Sequence, residues 1–425
     1  MRKMTTAISL VAVMALGAQA ATLEERVKVL EEQNSVLTEE VLASQSGGFT
    51  LVDTEKTFNG MGPAASKVYF SDNPLSIGGY GEMFYANPDN GDDFADVYRF
   101  ITYFGYKFND WVVLNAEIEF EHGANADKGG EVVIEFLYLD FLLSDEFSLR
   151  AGHVLVPMGL INLRHEPTLF NTVQRPEIER QLIPSTWHEN GVLAYGRFDE
   201  VGIEYTAGMI NALNVDSVKT ASANGGWIRS GRLGASKNAS FDPAFVGRAD
   251  YTGINGLMVG ASVYYGDGSN TKNDSDSTSG LTTTIFDFHA RYENGPFQAY
   301  GLYTQTNLDG AENLIKTVDN DDGSTTIYAG QAVEKASGFY VNASYDIGGL
   351  VGIDYKIPVF AQYENWNPVE KTVDGQNEDA FDTETVTIGF NFFPTDQTVI
   401  KVDYEMNDVN GYETNTASVG LGFIF

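Results

Sequence analysis

Apolar and polar residues alternate along the chain from about Ser76 to its end, in short segments separated by Gly, Asn and Asp. Alternation with a period of two is typical of β-strands, because successive side chains point to opposite faces. Sixteen segments show it, at 76–86, 94–108, 111–122, 131–143, 146–154, 190–197, 200–210, 244–252, 257–266, 283–293, 296–306, 336–347, 354–366, 382–393, 396–407 and 414–425. The pattern predicts an all-β fold with an even number of strands.

The connections between these segments alternate between tight and long. The tight ones read FNDW, LSDEF, GRFDE, TGING, ENGP and FPTD, and the long polar ones include 211–243, 267–282, 307–335 and 367–381. A soluble sandwich has no reason to gather its long loops at one end, whereas an outer-membrane barrel has short turns on one side and long loops on the other. We therefore predict a 16-stranded antiparallel transmembrane β-barrel over residues 76–425, in the bacterial outer membrane, with both chain ends in the periplasm.

Within the segments, one row of side chains is apolar and the other is polar. Segment 396–407 places Ile400, Val402 and Tyr404 on one face and Lys401, Asp403 and Glu405 on the other. We expect the apolar rows to contact membrane lipid and the polar rows to line a lumen. The predicted pore-lining residues are Arg99, Lys107, Glu117, Glu119, Arg150, Arg248, Arg291, Lys401 and Asp403. Segment 131–143 is apolar on both rows, so its orientation is left open.

The last strand ends on an aromatic residue, Phe425. This ending resembles the signal that outer-membrane barrels present to the barrel assembly machinery. Phe425 is therefore a candidate assembly signal.

The amino-terminal part of the chain differs from the rest. Residues 1–20 have two basic residues, an apolar stretch and the small-residue site AQA, which predicts a secretory signal peptide. Residues 22–43 show a heptad pattern that predicts a coiled coil, and 44–75 reads as a Gly- and Pro-containing linker. The predicted coiled-coil core is Leu23, Val27, Leu30, Asn34, Leu37 and Val41. Its residue types favour a parallel dimer in isolation, whereas a bacterial barrel that carries such a coiled coil favours a trimer, and both remain open.

Composition and charge remove several classes of function. No run of eighteen apolar residues occurs after the amino terminus, so a bundle of transmembrane helices is excluded. A formal net charge of −33 argues against nucleic acid as a partner. The chain has no cysteine, which removes thiol catalysis and cysteine-ligated metals.

The connection at about 155–189, here called loop L3, is long but neither low in complexity nor rich in Gly and Ser. Such a loop is expected to fold into a defined shape. Because a barrel of sixteen strands is wide enough to leave an aqueous lumen, L3 is the candidate for narrowing it. The predicted pore-constriction residues are Arg164, His165, Arg175, Glu177, Glu179 and Arg180.

Three motifs, LRAGHVLVPMGL, QRPEIERQLIPSTW and GVLAYG, resemble the phosphate-selective porin O and P family, and their specific part covers about 147–196. The coiled coil and the strand number are similar to that family too. The resemblance implies a homotrimeric, non-gated diffusion channel with its third loop folded inward. It also implies lumen arginines and lysines that draw phosphate, since guanidinium groups bind phosphate oxygens well.

Inward acids accompany the inward bases, however, so a field across the constriction is an alternative to an anion path. The main prediction is a water-filled channel for passive diffusion of small hydrophilic solutes and ions. Two alternatives are a substrate-specific channel without a plug, for a larger nutrient or a metal chelate, and an envelope tether built on the coiled coil. No catalytic, metal or cofactor site is predicted, because HEPTL and HENGV both lack the second His of a zinc-protease motif.

Overall fold

The computed structural model describes residues 51–425 except 216–225, 236–241, 268–279, 315, 320–324 and 329–331. The predicted signal peptide (1–20) and coiled coil (22–43) lie outside the described residues.

Sixteen antiparallel strands close into a barrel in which the first strand pairs with both the second and the last. The barrel strands are β1 (Leu75–Pro88), β2 (Phe94–Lys107), β3 (Val112–Glu121), β4 (Val132–Phe141), β5 (Ser148–Leu155), β6 (His188–Phe198), β7 (Ile203–Asn211), β8 (Pro243–Ile254), β9 (Leu257–Asp267), β10 (Thr282–Asn294), β11 (Phe297–Asp309), β14 (Val333–Asp346), β15 (Pro358–Thr372), β16 (Thr383–Thr395), β17 (Thr398–Val409) and β18 (Tyr412–Ile424). A separate hairpin, β12 (Lys316–Asp319) and β13 (Thr325–Tyr328), lies in the connection between β11 and β14. The predicted 16-stranded antiparallel barrel is confirmed.

The two rows of each strand have different surroundings. On β17, Lys401 and Asp403 are buried inside the barrel, while Ile400 is 37% and Tyr404 is 43% exposed on its outer face. At the closing seam, the backbone N–H and C=O of Phe425 each form a 2.9 Å hydrogen bond with Gly79. The last residue therefore completes the pairing of β1 with the carboxyl-terminal strand.

Strand β4, whose orientation the sequence left open, contains a β-bulge. Glu117 pairs with Phe136 and Ile118 with Ile134, so Glu135 is an extra residue on β4. Glu135 and Phe136 are both fully buried. A bulge shifts the alternation by one position, and the apolar and polar rows therefore exchange faces within this strand.

Residues 51–74, here called the inner segment, fold inside the barrel. Helix α1 (Pro63–Phe70) begins with Pro at its first position and buries most of its length. The Val68 side chain packs against Gly105 on β2, and Asn115 Nδ2 donates a 2.9 Å hydrogen bond to Ala65 O. The predicted linker at 44–75 is therefore wrong for its described part. A sequence of small and apolar residues that suggests a linker can fold when a barrel wall covers its apolar face.

Three further short helices occur in the connections: α2 (Glu177–Gln181), α3 (Trp227–Ser230) and α4 (Gly348–Val351). Single 3₁₀ turns lie at His122–Ala124, Ala126–Lys128 and Ala311–Asn313. None of the helices in the described ranges is long and apolar enough to cross a membrane.

Candidate functional site

Loop L3, which connects β5 and β6 through residues 156–187, lies within the barrel and contacts strands on two sides of the lumen. We call strands β1–β5 the first wall and strands β14–β17 the second wall. L3 buries most of its apolar side chains, including Met158, Ile178 and Ile183. It is therefore a packed element and not an open surface loop.

The two buried arginines of the first wall pair with carboxylates of the same wall. Arg99 Nε lies 2.5 Å from Glu82 Oε1, and its Nη2 donates to the backbone oxygen of His165 in L3 at 3.0 Å. Arg150 forms a two-pronged pair with Asp140, at 2.8 and 2.9 Å. These arginines hold the structure of the wall and its contact with L3, so their charge is largely neutralised there.

On the second wall, the buried charged side chains bond mainly to the backbone of L3, while the ion pairs Lys335–Glu370 and Lys371–Glu334 are partly exposed. Lys401 Nζ donates to the backbone oxygens of Phe170 and Thr172, at 2.9 Å each. Asp403 accepts a 2.6 Å hydrogen bond from the N–H of Val173. Because an irregular buried loop has no ladder of its own, such side chains satisfy backbone groups that would otherwise be unpaired.

All nine predicted pore-lining residues lie on the inner face, but most are covered. Six are buried and three are half-buried: the buried ones are Arg99, Glu117, Glu119, Arg150, Lys401 and Asp403, and the half-buried ones are Lys107, Arg248 and Arg291. Lys107 Nζ bonds to the backbone oxygens of Tyr69 and Ser71 after helix α1. L3 and the inner segment therefore occupy much of the space that the sequence analysis assigned to water.

The six residues predicted as one constriction do not form one group. Arg175, Glu177 and Arg180 border a cavity toward the long connections, whereas Arg164 borders cavities at the opposite end. Neighbouring residues of an irregular loop point in unrelated directions, so adjacent positions in L3 reach different sites.

The other two of the six are fully enclosed. His165 lies in a buried cluster with Glu117 and Glu135. Glu179 accepts hydrogen bonds from Tyr340 Oη at 2.6 Å and from the N–H of Ile161 at 2.7 Å. Burial raises the pKa of the Glu179 carboxyl to about 7, and these two donors act in the opposite direction.

Two cavities lie at the end of the barrel that carries the short turns, which we call the short-turn end. The larger one, of about 470 Å³, is lined by four arginines and three carboxylates: Arg164, Arg197, Arg248, Arg291, Asp145, Glu204 and Asp250. A second one of about 330 Å³ shares Thr57, Arg164 and Arg291 with it. Within the described part of the chain, the guanidinium of Arg164 has no ion-pair partner, and its Nε has no hydrogen-bond partner. Burial, together with Arg291, lowers the Arg164 pKa to about 9, which still leaves the group cationic at neutral pH.

Two cavities also lie toward the other end, here called the long-loop end. Their volumes are about 420 and 140 Å³, and both are bordered by Gln174, Arg175 and Glu405. Arg175 Nη2 donates to Tyr98 Oη at 3.0 Å, while its Nη1 has no partner among the described residues. Arg180, by contrast, forms an ion pair, because its Nη1 lies 2.8 Å from Glu177 Oε2.

A second connection, between β7 and β8, packs onto L3, and the sequence pattern did not predict this contact. Arg229 donates to the backbone oxygens of Arg180 and Ser185, at 3.1 and 2.7 Å, and Arg232 donates to that of Thr186. Trp227 is fully buried, and its Nε1 donates to Pro368 O at 2.7 Å. A tryptophan in a long polar connection was the available signal, since such a large apolar side chain is seldom left in solvent.

Comparisons with known proteins agree with this architecture. A model of the family described as phosphate-selective porin O and P matches residues 82–424. An uncharacterized protein of Aquifex aeolicus (strain VF5) is 32% identical over 369 residues, which cover 85% of this chain and 82% of the relative.

Solved outer-membrane proteins share the fold at low sequence identity. A loop L8 deletion mutant of OmpT of Vibrio cholerae has a TM-score of 0.53 at 13% identity, covering 83% of this chain and 99% of that chain. The channel DcaP of Acinetobacter baumannii has a TM-score of 0.51 at 14% identity, and the match covers 83% of this chain and 97% of that chain. An anion-selective porin from Comamonas acidovorans has a TM-score of 0.50 at 13% identity, and the match covers 83% of this chain and 99% of that chain.

The closed 16-stranded barrel, its apolar outer face and its polar interior define an outer-membrane channel for passive diffusion. The chain belongs to the phosphate-selective porin O and P family. Its location is the bacterial outer membrane, and its family is one of channels.

Proposed function

We propose that the channel passes small hydrophilic solutes and ions with a preference for anions, including phosphate, and that loop L3 forms its constriction. The observation that carries the anion preference is the state of two L3 arginines. Among the described residues, Arg164 and Arg175 have no ion-pair partner, and each borders both cavities at its own end of the barrel.

The other arginines at these cavities are less available, and the lysine at the short-turn end, Lys356, lies outside L3. Each of three arginines has a guanidinium nitrogen close to a carboxylate oxygen. These distances are 2.7 Å for Arg248 and Asp250, 3.4 Å for Arg291 and Glu293, and 3.2 Å for Arg197 and Asp199. A paired guanidinium offers less attraction to a passing anion than an unpaired one, because the nearby carboxylate opposes it. Arg164 and Arg175 are therefore the L3 arginines at these cavities that have no neutralising carboxylate. Arg164 is half-buried and Arg175 is 5% exposed, so an anion reaches them from the cavities that they border.

The proposal includes an assembly state. By the family resemblance, the chain is a homotrimer, inserted by the barrel assembly machinery through the strand that ends at Phe425. The exposed outer-face position of Phe425, stacked on Phe100 at 6.2 Å, supports recognition of this residue at the closing strand. Native mass spectrometry of the extracted protein would give the number of subunits.

The test of selectivity is planar-bilayer recording of the purified protein, with the reversal potential measured under a salt gradient and inorganic phosphate added as a blocker. We expect the wild type to prefer chloride over potassium and to be blocked by phosphate. Arg164→Gln and Arg175→Gln should each weaken phosphate block by about tenfold, because one charge-assisted hydrogen bond is worth roughly 1.5 kcal/mol.

Arg197→Gln is the matched control, because it removes the same charge from the cavity that Arg164 borders but from a guanidinium already paired with Asp199. We expect it to change block and reversal potential much less. A wild type that prefers cations or ignores phosphate would disprove the anion preference while leaving a general diffusion channel. If all three variants change phosphate block and reversal potential equally, Arg164 and Arg175 do not determine the anion preference.

A further inference from the structure

A cluster of acidic side chains lies buried where L3 meets the first wall. Glu117 and Glu119 on β3, Glu135 on β4 and His165 in L3 are all nearly or fully buried. One ligand-type atom from each of Glu117, Glu135 and His165 lies within 4.8 Å of the others. Residues from two strands and a distant loop therefore converge on one point.

The charge of this cluster is not balanced by its protein partners. Four buried carboxylates, those of Glu82, Glu117, Glu119 and Glu135, surround a single guanidinium, that of Arg99. Uncompensated ionised groups are costly in a buried site. A cation of charge two would remove most of the excess.

Several polar atoms aimed into the cluster also lack partners. Among the described residues, Glu135 Oε1 and Oε2 and Glu117 Oε2 accept no hydrogen bond, although both side chains are fully buried. The hydroxyl of Tyr80, whose ring centroid lies 5.9 Å from that of His165, is likewise without a partner. Native structures seldom leave so many buried polar atoms unsatisfied in one place, so these atoms point to an ion or a water molecule as their common partner.

His165 is oriented as a metal ligand. Its Nδ1 lies 2.7 Å from the backbone oxygen of Asn162, a contact that needs the proton on Nδ1, so in the neutral ring Nε2 carries the lone pair that a metal would bind. Nε2 faces Glu117 Oε1 at 3.4 Å and Glu135 Oε2 at 3.3 Å. Charge-assisted hydrogen bonds are shorter, at about 2.7–2.9 Å. Two ligands bound tetrahedrally to Zn²⁺ at about 2.0–2.1 Å lie about 3.3–3.4 Å apart, which matches both separations.

The backbone of β4 places the third ligand. Glu135 is the extra residue of the bulge, and without the bulge it could not share the inner face with Phe136. Bulges of this kind commonly re-aim a side chain toward a functional site.

We propose that Glu117, Glu135 and His165 bind a divalent transition-metal cation of the zinc class, which ties loop L3 to the wall of the barrel. An imidazole with two carboxylates suits Zn²⁺ better than Mg²⁺ or Ca²⁺, which take oxygen ligands. This site is separate from the proposed anion path, since neither Arg164 nor Arg175 belongs to it.

The experiment uses the full-length barrel, extracted in detergent, stripped with chelator and then incubated with Zn²⁺ or with Mg²⁺. After gel filtration, elemental analysis should find about one Zn²⁺ per chain and no retained Mg²⁺. Thermal unfolding, followed by heat-modifiable gel mobility, should shift upward with Zn²⁺ because the ion binds the folded state.

Glu135→Gln keeps the size of the side chain and should weaken Zn²⁺ binding by at least about tenfold. The matched control is Glu364→Gln, which changes another fully buried carboxylate in the barrel wall, outside the cluster, and should keep the ion. His165→Gln serves as a second variant if Glu135→Gln does not fold. Absence of Zn²⁺ from the stripped and reloaded wild type, or equal retention of Zn²⁺ by Glu135→Gln, would overturn the proposal. Protonation of the carboxyl groups would then be what neutralises the cluster.

Discussion

The two walls that hold loop L3 use charge in different ways. On the first wall, Arg150 and Asp140 pair with each other, as do Arg99 and Glu82. On the second wall, Lys401 and Asp403 bond to the backbone of L3, and amide side chains such as Asn342 add neutral hydrogen bonds to L3. The first wall thus depends on ion pairs, and the second on satisfying polar backbone groups.

The difference shows that a charged residue on the inner face of a barrel is not necessarily part of the permeation path. A positively charged side chain can attract a solute strongly only when it forms neither an ion pair with a carboxylate nor a hydrogen bond with a backbone group. Among the six predicted constriction residues in the described part of the chain, Arg164 and Arg175 lack both kinds of partner, whereas Arg99, Arg150 and Lys401 of the two walls have one. Arg175 is itself 5% exposed, so an anion reaches it only from the cavities that it borders.

The largest effect is expected from breaking an ion pair of the first wall. Asp140→Asn leaves the buried Arg150 guanidinium without its carboxylate, and we expect a loss of about 3–5 kcal/mol in the free energy of unfolding. Urea unfolding of the barrel in lipid vesicles would measure it. The double variant Asp140→Leu with Arg150→Met should lose less, because no unpaired charge remains. A double variant at least as unstable as Asp140→Asn would contradict the first wall's dependence on charge pairing.

A smaller effect is expected from pH, through Glu179, the carboxylate of L3 that contacts Tyr340 on the second wall. Its pKa is raised to about 7 in the folded protein, against an ordinary value of 4.5. Between these pH values the Glu179 carboxyl of the folded chain keeps a proton that the unfolded chain releases. The contribution of Glu179 to the free energy of unfolding is therefore highest below pH 4.5 and falls as the pH rises to 7. The loss should reach roughly 3 kcal/mol.

Unfolding measured at pH 4.5 and at pH 8 for the wild type and for Glu179→Gln would isolate this contribution from that of other carboxylates. We expect the variant to lose less stability than the wild type over the same range. Identical pH profiles would mean that Glu179 does not carry its proton into the folded state.

The smallest effect is expected from a neutral contact of the second wall. Asn171 Nδ2 donates a 2.7 Å hydrogen bond to Asn342 Oδ1, and Asn171→Ala should cost about 1–2 kcal/mol because Asn342 then loses a donor. The adjacent Thr172→Val is the control: among the described residues its hydroxyl has no partner, so the cost should be near zero. A cost for Thr172→Val equal to that of Asn171→Ala would show that packing, and not hydrogen bonding, governs this wall.

The sequence alone determined the sixteen strands, their antiparallel order and the face of most side chains. It could do so because a membrane outside and polar surroundings inside impose a period of two on every strand. The rule failed at β4, where one inserted residue, Glu135, shifts the alternation and the apolar run gives no sign of it.

Only the tertiary structure decided which inner charges are covered, that residues 51–74 fold inside the barrel, and that Arg164 and His165 reach different sites although they are neighbours. These outcomes depend on contacts between residues far apart in sequence, such as Arg99 with the backbone of His165 and Lys401 with that of Phe170. Alternation reports only whether a side chain points inward. What it meets there is set by the path of an irregular loop, whose buried backbone takes its hydrogen bonds from whichever wall lies beside it.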